Sequence, residues 1–501
     1  VVSFFFGCSL DRPSSLVVLF YANGGKTLDG FMENLKKKLQ QIEQSQVIEF
    51  LEAISPDRKA SLLRQIEGLD FQKIPEWVKK YVKNQDSVKI PDHFDPAPSY
   101  PARPNTAEQV QRYADAVKTG QDLISRGKVA GLVVAGGQGT RLGFDGPKGN
   151  YPISPVQNKT LFQIFAENLL AAGKKYNTII PFYIMTSPLN DAATVAIFQA
   201  ADFYGLGSEN VFIFQQGSLP NFDFDGNILL AEKDTIASSP DGHGGSLKAL
   251  CDSGAMADMQ HRGIEILSYW QVDNPLVRVI DPLFIGLHAA DKAEMSSKAL
   301  LKAGPTEKVG NFCLVDGKVT VIEYSDLPRE AAYRKTEDGS LAFELGSIGI
   351  HLIDVSFIEK LNNGGDFALP LHRAVKKIPY MDKNGNRIQP QAPNGVKLET
   401  FVFDAIPLAD RSVILQTVRA EEFAPVKNAA GADSAEVTRQ MMVARAAAWL
   451  EAAGAQVPRK SDNAPDCTLE IAPSFALAAD DLKAKLDQIP PIKPGSKCYL
   501  G

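Results

Sequence analysis

The sequence predicts an α/β protein. It has a core built on a mixed, mainly parallel sheet, a helical N-terminal region before it and a small C-terminal domain after it. Three observations predict this. Apolar residues recur at spacings of three and four between Met32 and Lys83. From Lys128 onward, short apolar runs alternate with helical patterns, as in a parallel sheet covered on both faces. Past Lys427 the composition shifts to Ala, Gly, Asp and Ser, and a fresh helical pattern follows. The boundaries read this way are 1–31, a non-native or dispensable extension; 32–126, the helical region; 127–425, the core; and 426–501, the C-terminal domain.

The extension carries two apolar runs, Val1–Cys8 and Leu16–Tyr21, each too short to span a membrane. A signal peptide would need a charged start and an unbroken apolar core, and Asp11 and Arg12 interrupt it. Leu35, Leu39 and Ile42, then Phe50, Leu51 and Ile54, form an apolar stripe that Pro56 stops. Leu62, Leu63 and Ile66 mark another amphipathic helix. Prolines 91, 96, 98, 101 and 104 require an extended connection. Thr106 is placed to cap a helix running to Arg126. Strands are then expected over Val129–Ala135, Ile179–Thr186, Val211–Gln215 and Ile264–Val272. Helices are expected over Leu161–Ala172, Asp191–Tyr204 and Leu247–Arg262. Residues 295–355 hold several strand-like runs with few helices, which reads as an antiparallel extension of the sheet. The last long helix spans Ser434–Ala453, before a proline-rich tail.

Composition narrows the function. A net charge of −6 gives no overall basic bias towards nucleic acid or an anionic membrane. An anionic substrate would need local basic groups. The five cysteines are scattered and form no CxxC pair, which argues against a zinc site or a disulfide framework and for a reducing cytoplasm. Cys251 and Cys313 read as core residues. No Gly-x-Ser-x-Gly elbow is present and the six histidines have no metal-ligand spacing, which disfavours a hydrolase.

The chemistry concentrates in Gly131-Leu-Val-Val-Ala-Gly-Gly-Gln-Gly-Thr-Arg-Leu-Gly143, a glycine-rich turn directly after a buried strand. Small residues let backbone N–H groups approach phosphate oxygens. Thr140-Arg141 stands where a Walker loop needs Lys-Ser/Thr, and Leu142 stands where a dinucleotide fingerprint wants a small residue. Arg141 can fork onto phosphate oxygens, and Lys148 beyond Pro147 supplies a compact charge. Asp273 ends a strand and precedes Asn274-Pro275. It is placed either to hold Mg²⁺ against a phosphate or simply to cap a turn.

Ala135–Gly143 with Pro147-Lys148 resembles the signature of the UDP-sugar pyrophosphorylases, most of all the eukaryotic-type UDP-N-acetylglucosamine enzymes. Phe214-Gln-Gln-Gly217, Pro240-Asp-Gly-His-Gly-Gly245, Val272-Asp-Asn274, Glu323-Tyr324, Pro393-Asn-Gly395, Phe401-Val-Phe-Asp404 and Pro425-Val-Lys-Asn428 follow in the family's order. The resemblance implies a Rossmann-like nucleotidyltransferase core and a uridylyltransferase that joins UTP to a sugar 1-phosphate with Mg²⁺. Arg141, Lys148 and Lys427 would be catalytic. Val134, Ala135, Gly136, Gly137, Lys148, Gln216, Gly242, Asp273 and Lys397 would meet the nucleotide, with Asp273 also on the metal. His243, Gly310, Glu323, Tyr324 and Ser347 would meet the sugar. By themselves Lys397 and Lys427 read as surface lysines, and Phe401 and Phe403 serve equally as core or as a sugar platform. The implied protein is cytoplasmic, a monomer or weak homo-oligomer, with no nucleic-acid or membrane partner.

Two positions depart from the N-acetylglucosamine pattern. His243 and Ser347 stand where that family has Asn, so two amides that could bond the substrate are lost. The histidine is closer to the UDP-glucose and broad UDP-sugar enzymes, which makes glucose 1-phosphate the alternative substrate. A second alternative is a non-catalytic protein that binds UDP-sugar, against which Arg141, Lys148 and Asp273 argue.

Overall fold

A computed structural model describes residues 26–84, 91–363 and 367–501. Residues 1–25, most of the expected extension, lie outside the described residues. The chain forms two compact units.

One unit combines the described residues up to 84 with 218–242 and 371–400. Its first helix, Lys26–Gln41, begins ahead of Met32. Ser45–Ala53, Pro56–Glu67 and Lys73–Trp77 follow, the last continued by a π-turn over Val78–Lys83. The apolar stripe read from the sequence is the buried face: Leu35, Leu39, Leu51, Leu62, Leu63 and Ile66 pack with Phe222, Val396 and Leu398. Those last three come from a small antiparallel sheet of Phe222–Asp223, Gly395–Glu399 and His372–Lys376. Buried Gln44 stitches helix to loop, donating to Gly226 O at 2.9 Å and accepting from Ile228 N–H at 2.7 Å.

The other unit comprises 90–217, 243–370 and 401–501. Its strands are β1 Val129–Val134, β2 Phe182–Thr186, β3 Val211–Gln215, β4 Ile266–Gln271, β5 Met295–Leu301, β6 Gly310–Val315, β7 Lys318–Ile322, β8 Leu345–Asp354 and β9 Ser412–Thr417. Its main helices are α1 Ala107–Ser125, α2 Leu161–Tyr176, α3 Asp191–Ala200, α4 Gly245–Asp252, α5 Ala255–Arg262, α6 Pro282–Ala290 and α7 Ala435–Ala453. With the two-residue strand Asp95–Pro96, the nine strands make one ten-stranded sheet. Strands β4, β1, β2 and β3 run parallel in that order. Antiparallel β8 borders β4 and carries β6 and β5, so the expected antiparallel extension is present.

Both faces of β1 are buried, which is why its sequence is continuously apolar. Val129 and Val133 enter one core with Phe165, Phe182 and Trp270. Ala130 and Leu132 enter the other with Leu247, Leu250 and Met259. Thr106 caps α1 by accepting from Gln109 N–H. The single helix expected over 247–262 is instead two, because Gly254 takes a left-handed φ of +87° between them. The helix expected to reach Tyr204 ends at Ala200, and Asp202, Phe203 and Tyr204 all have positive φ. Cys313 is buried in the core, as expected, and burial pushes its thiol up to about 12.

The tail forms its own apolar cluster on α7 around Trp449, Leu450, Leu469 and Leu482. It is fastened to the core: Glu470 accepts from the N–H groups of Val156 and Gln157, and Lys159 bonds Glu167 and Tyr499. No helix among the described residues is long and apolar enough to cross a membrane.

Lys298 on β5 is a fully buried charge. Its ammonium donates to Asp281 and Glu422 at 2.7 Å each, and all three side chains are buried. Burial alone would push Asp281 up, but Lys298 and Arg278 outweigh it and hold its carboxyl at about 2. Removing the cation would strand two carboxylates in the core. Lys298→Met is therefore expected to cost about 3–5 kcal/mol, read as a large fall in Tm. Because Asp281 is depressed in the folded state, its contribution is complete above pH ~4 and is lost as pH falls towards 2. Thermal melts across that range should show the wild-type Tm dropping.

Candidate active site

The glycine loop leaves β1 at its carboxyl end. Ala135 is buried and its N–H donates to Met185 O on β2. The chain then folds back on itself: Gly139 N–H donates to Gly146 O and Lys148 N–H to Gly137 O, so Gln138 and Pro147 face each other. This short ladder returns Lys148 to the mouth of β1. The backbone N–H groups of Gly136, Gly137 and Gln138 find no acceptor among the described residues. Three consecutive unspent donors at a strand end form an anion cradle.

Lys148 Nζ stands 3.7 Å from Asp273 Oδ2, and both side chains are largely buried. That is an ion pair rather than a tight hydrogen bond. Asp273 lies just past β4, the strand beside β1, so the two charges converge where parallel strands end. Lys427 is brought to the same place through backbone. Val426 N–H donates to Asp273 O at 2.8 Å, Asn274 Nδ2 donates to Glu422 O, and Ala424 N–H donates to Asn274 Oδ1. Glu422 is the partner of buried Lys298, which ties this segment to the core. Arg141 sits on a short 3₁₀ turn anchored by buried Leu142. Its side chain is exposed and makes no hydrogen bond or ion pair among the described residues.

Gln216 follows β3 and is buried, with its N–H on Thr186 O. Its side chain lies so near the loop that a Cβ on Gly136 would stand 2.4 Å from Gln216 Oε1. Any larger residue there would have to push the Gln216 amide aside.

Three implied sugar residues also converge. Gly310 pairs with Ser347 across β6 and β8, and a Cβ on Gly310 would lie 3.4 Å from Glu323 Oε1 and 3.7 Å from Ser347 Cβ. Tyr324, the next residue, is exposed. His243 belongs to a different cluster. Its ring lies 5.3 Å from Phe401, nearly parallel, and 5.9 Å from Phe403. Val402 N–H donates to His243 Nδ1 at 3.1 Å, which leaves the neutral ring's proton on Nε2. Val402 begins a 3₁₀ turn and is buried, while the two phenylalanines are partly exposed beside His243. Nearby His351 is fully buried, and burial first, then His243, pushes its pKa down to about 3.

Gly242 and Lys397 lie in the other unit. There Asp241 O accepts from both N–H and Oγ1 of Thr400. Lys397, paired opposite Ala374, has its pKa lowered by burial and by Lys376.

Among the described residues no group of three or more His, Cys, Asp or Glu could hold a metal. Asp273 therefore brings its carboxylate to the loop without such a group around it. That suits an ion such as Mg²⁺, which keeps several waters and takes most of its other oxygens from substrate phosphates. Two further side chains touch the loop that no pattern singled out, Ser187 and Asn190. The available signal was Ser-x-x-Asn directly between a strand and a helix.

Residues 76–498 match the family model described as UTP–glucose-1-phosphate uridylyltransferase. The chain is 35% identical over 484 residues to the human UDP-N-acetylhexosamine pyrophosphorylase-like protein 1, covering 91% of this chain and 94% of that protein. It is 34% identical to the UDP-N-acetylglucosamine pyrophosphorylase of Saccharomyces cerevisiae, covering 85% and 92%. The structure of the Trypanosoma brucei uridine diphosphate N-acetylglucosamine pyrophosphorylase superposes with a TM-score of 0.79 at 25% identity, covering 94% and 98%.

The crowding at Gly136 gives a direct test. Gly136→Ala must displace the Gln216 amide, and titration calorimetry should then show UTP binding weakened about tenfold or more, about 1.4 kcal/mol.

Proposed function

This chain belongs to the UTP–glucose-1-phosphate uridylyltransferase family, and from that membership we propose that it makes UDP-N-acetylglucosamine and pyrophosphate from UTP and N-acetylglucosamine 1-phosphate. The observation that carries the reading is the Lys148–Asp273 pair at 3.7 Å, set beside three unspent backbone donors.

A phosphate oxygen of the sugar 1-phosphate attacks the α-phosphorus of UTP. One P–O bond forms, the bond to the bridging oxygen breaks, and pyrophosphate leaves with that electron pair. The attacking phosphate is already an anion at neutral pH, so the site needs no general base. Its work is positioning and charge neutralisation. The loop from Val134 to Gly137 holds the nucleotide, and its free N–H groups take phosphate oxygens. Gln216 reads the uracil, and the resemblance assigns Gly242 and Lys397 to the nucleotide as well. Lys148 meets the phosphoryl group, Lys427 follows through its tether to Asp273, and Arg141, without a partner among the described residues, is placed to swing onto phosphate oxygens. Mg²⁺ held by Asp273 would neutralise charge on the phosphates. Gly310, Glu323, Tyr324 and Ser347 receive the sugar, and the resemblance assigns His243, from its own cluster with Phe401 and Phe403, to the sugar as well. The setting we propose is the cytoplasm, as a monomer or weak homo-oligomer.

One observation favours a second sugar. His243 and Ser347 offer a neutral imidazole and a hydroxyl where amides are usual in N-acetylglucosamine enzymes, which would suit glucose 1-phosphate. A panel of sugar 1-phosphates assayed with UTP decides: the reading expects the highest kcat/KM for N-acetylglucosamine 1-phosphate, and a higher value for glucose 1-phosphate overturns the sugar assignment.

Lys148→Ala should lower kcat by roughly a hundredfold or more, measured as pyrophosphate release. Near-normal turnover would remove Lys148 from the mechanism. Asp273→Ala should raise the Mg²⁺ concentration needed for half-maximal rate at least tenfold, and chelation should abolish wild-type activity.

A further inference from the structure

The three free N–H groups of the loop have a cause. A trans peptide is planar, so the C=O of one residue and the N–H of the next point in opposite directions. The N–H groups of Gly136, Gly137 and Gln138 are therefore aimed by the carbonyls of Ala135, Gly136 and Gly137. Each of those three carbonyls is held by a side chain from the turn between β2 and α3. Asn190 Nδ2 donates to Ala135 O at 2.8 Å and to Gly137 O at 3.2 Å. Ser187 Oγ donates to Gly136 O at 2.8 Å. Asn190 Oδ1 accepts from Ser187 N–H at 2.8 Å and also meets Ser187 Oγ, so the two side chains brace each other.

The position of Asn190 makes this unusual. It is the N-cap residue of α3, where an Asn ordinarily accepts from its own helix's N–H groups, an interaction of about 1 kcal/mol. Here it makes no such bond. Its amide turns away from the helix towards the loop, and it is buried. The turn itself is pinned, with Thr186 Oγ1 bonded to Asp191 Oδ1 and Phe214 O.

We propose that Ser187 and Asn190 are positioning residues for nucleotide binding. They clamp three successive carbonyls so that three successive N–H groups face the phosphates of UTP. The ligand named here rests on the uridylyltransferase reading.

The test compares Ser187→Ala, Asn190→Ala and Asn190→Asp with the wild type. Steady-state kinetics should show KM for UTP raised tenfold or more in each, with KM for the sugar 1-phosphate within twofold. A general loosening of the fold would move both together, and that result overturns the proposal, as does an unchanged KM for UTP. Asn190→Asp adds a readout that packing alone does not supply. Its carboxyl, ionised, repels the two carbonyls; protonated, it can donate to one of them. Its UTP affinity should therefore recover towards acid pH, while that of Asn190→Ala stays flat. Calorimetric titration with UTP reads the clamp even without turnover. If wild type binds UTP but transfers nothing, the uridylyltransferase reading fails while the clamp is still judged by the variants' affinities. If Asn190 variants do not fold, Ser187→Ala, which removes one small hydroxyl, decides alone by the same two KM values.

Discussion

A phosphate-binding loop must present its N–H groups and hide its carbonyls, and planar peptides do not allow one without the other. That constraint organises the centre of this protein. Strand β1 is sunk between two cores, so its carboxyl end is a fixed point. The turn after β2 lies beside that end because β1 and β2 are parallel neighbours. Polar side chains from that turn can then reach the loop's carbonyls, and the donors face outward as a consequence.

The charged half of the site is fixed by a second chain of bonds. Lys298 holds Glu422 in the core, Asn274 ties its own loop to Glu422 and Ala424, and Asp273 accepts from Val426. The carboxylate that meets Lys148 and the backbone that carries Lys427 are thus bonded into one piece. A buried ion pair is weak evidence of added stability, but here it sets the register between the segments that carry Asp273 and Lys427. Catalysis by positioned charge needs that register more than it needs any single strong contact.

Much of this was legible in the sequence. Continuous apolar runs marked β1, β2 and β4 because both faces of each are covered, and the glycine loop announced itself by composition. Asp273 at a strand end and Lys148 after Pro147 were visible as candidates, but their meeting at 3.7 Å was not. That meeting depends on the short ladder between Gln138 and Pro147. Ser187 and Asn190 stayed hidden because Ser and Asn before a helix read as an ordinary cap; nothing local says that the amide turns the other way. The break at Gly254 and the left-handed run Asp202–Tyr204 were missed for the opposite reason, since helical spacing persists through both.

In the proposed reaction the site moves a uridylyl group by alignment and charge alone, with no side chain attacking phosphorus. The stereochemistry at the α-phosphorus tests this most directly. Turnover of UTP carrying a chiral α-thiophosphate, followed by ³¹P NMR of the UDP-sugar product, should show inversion, as a single in-line displacement requires. Retention would mean two displacements through a uridylylated side chain and would contradict the account.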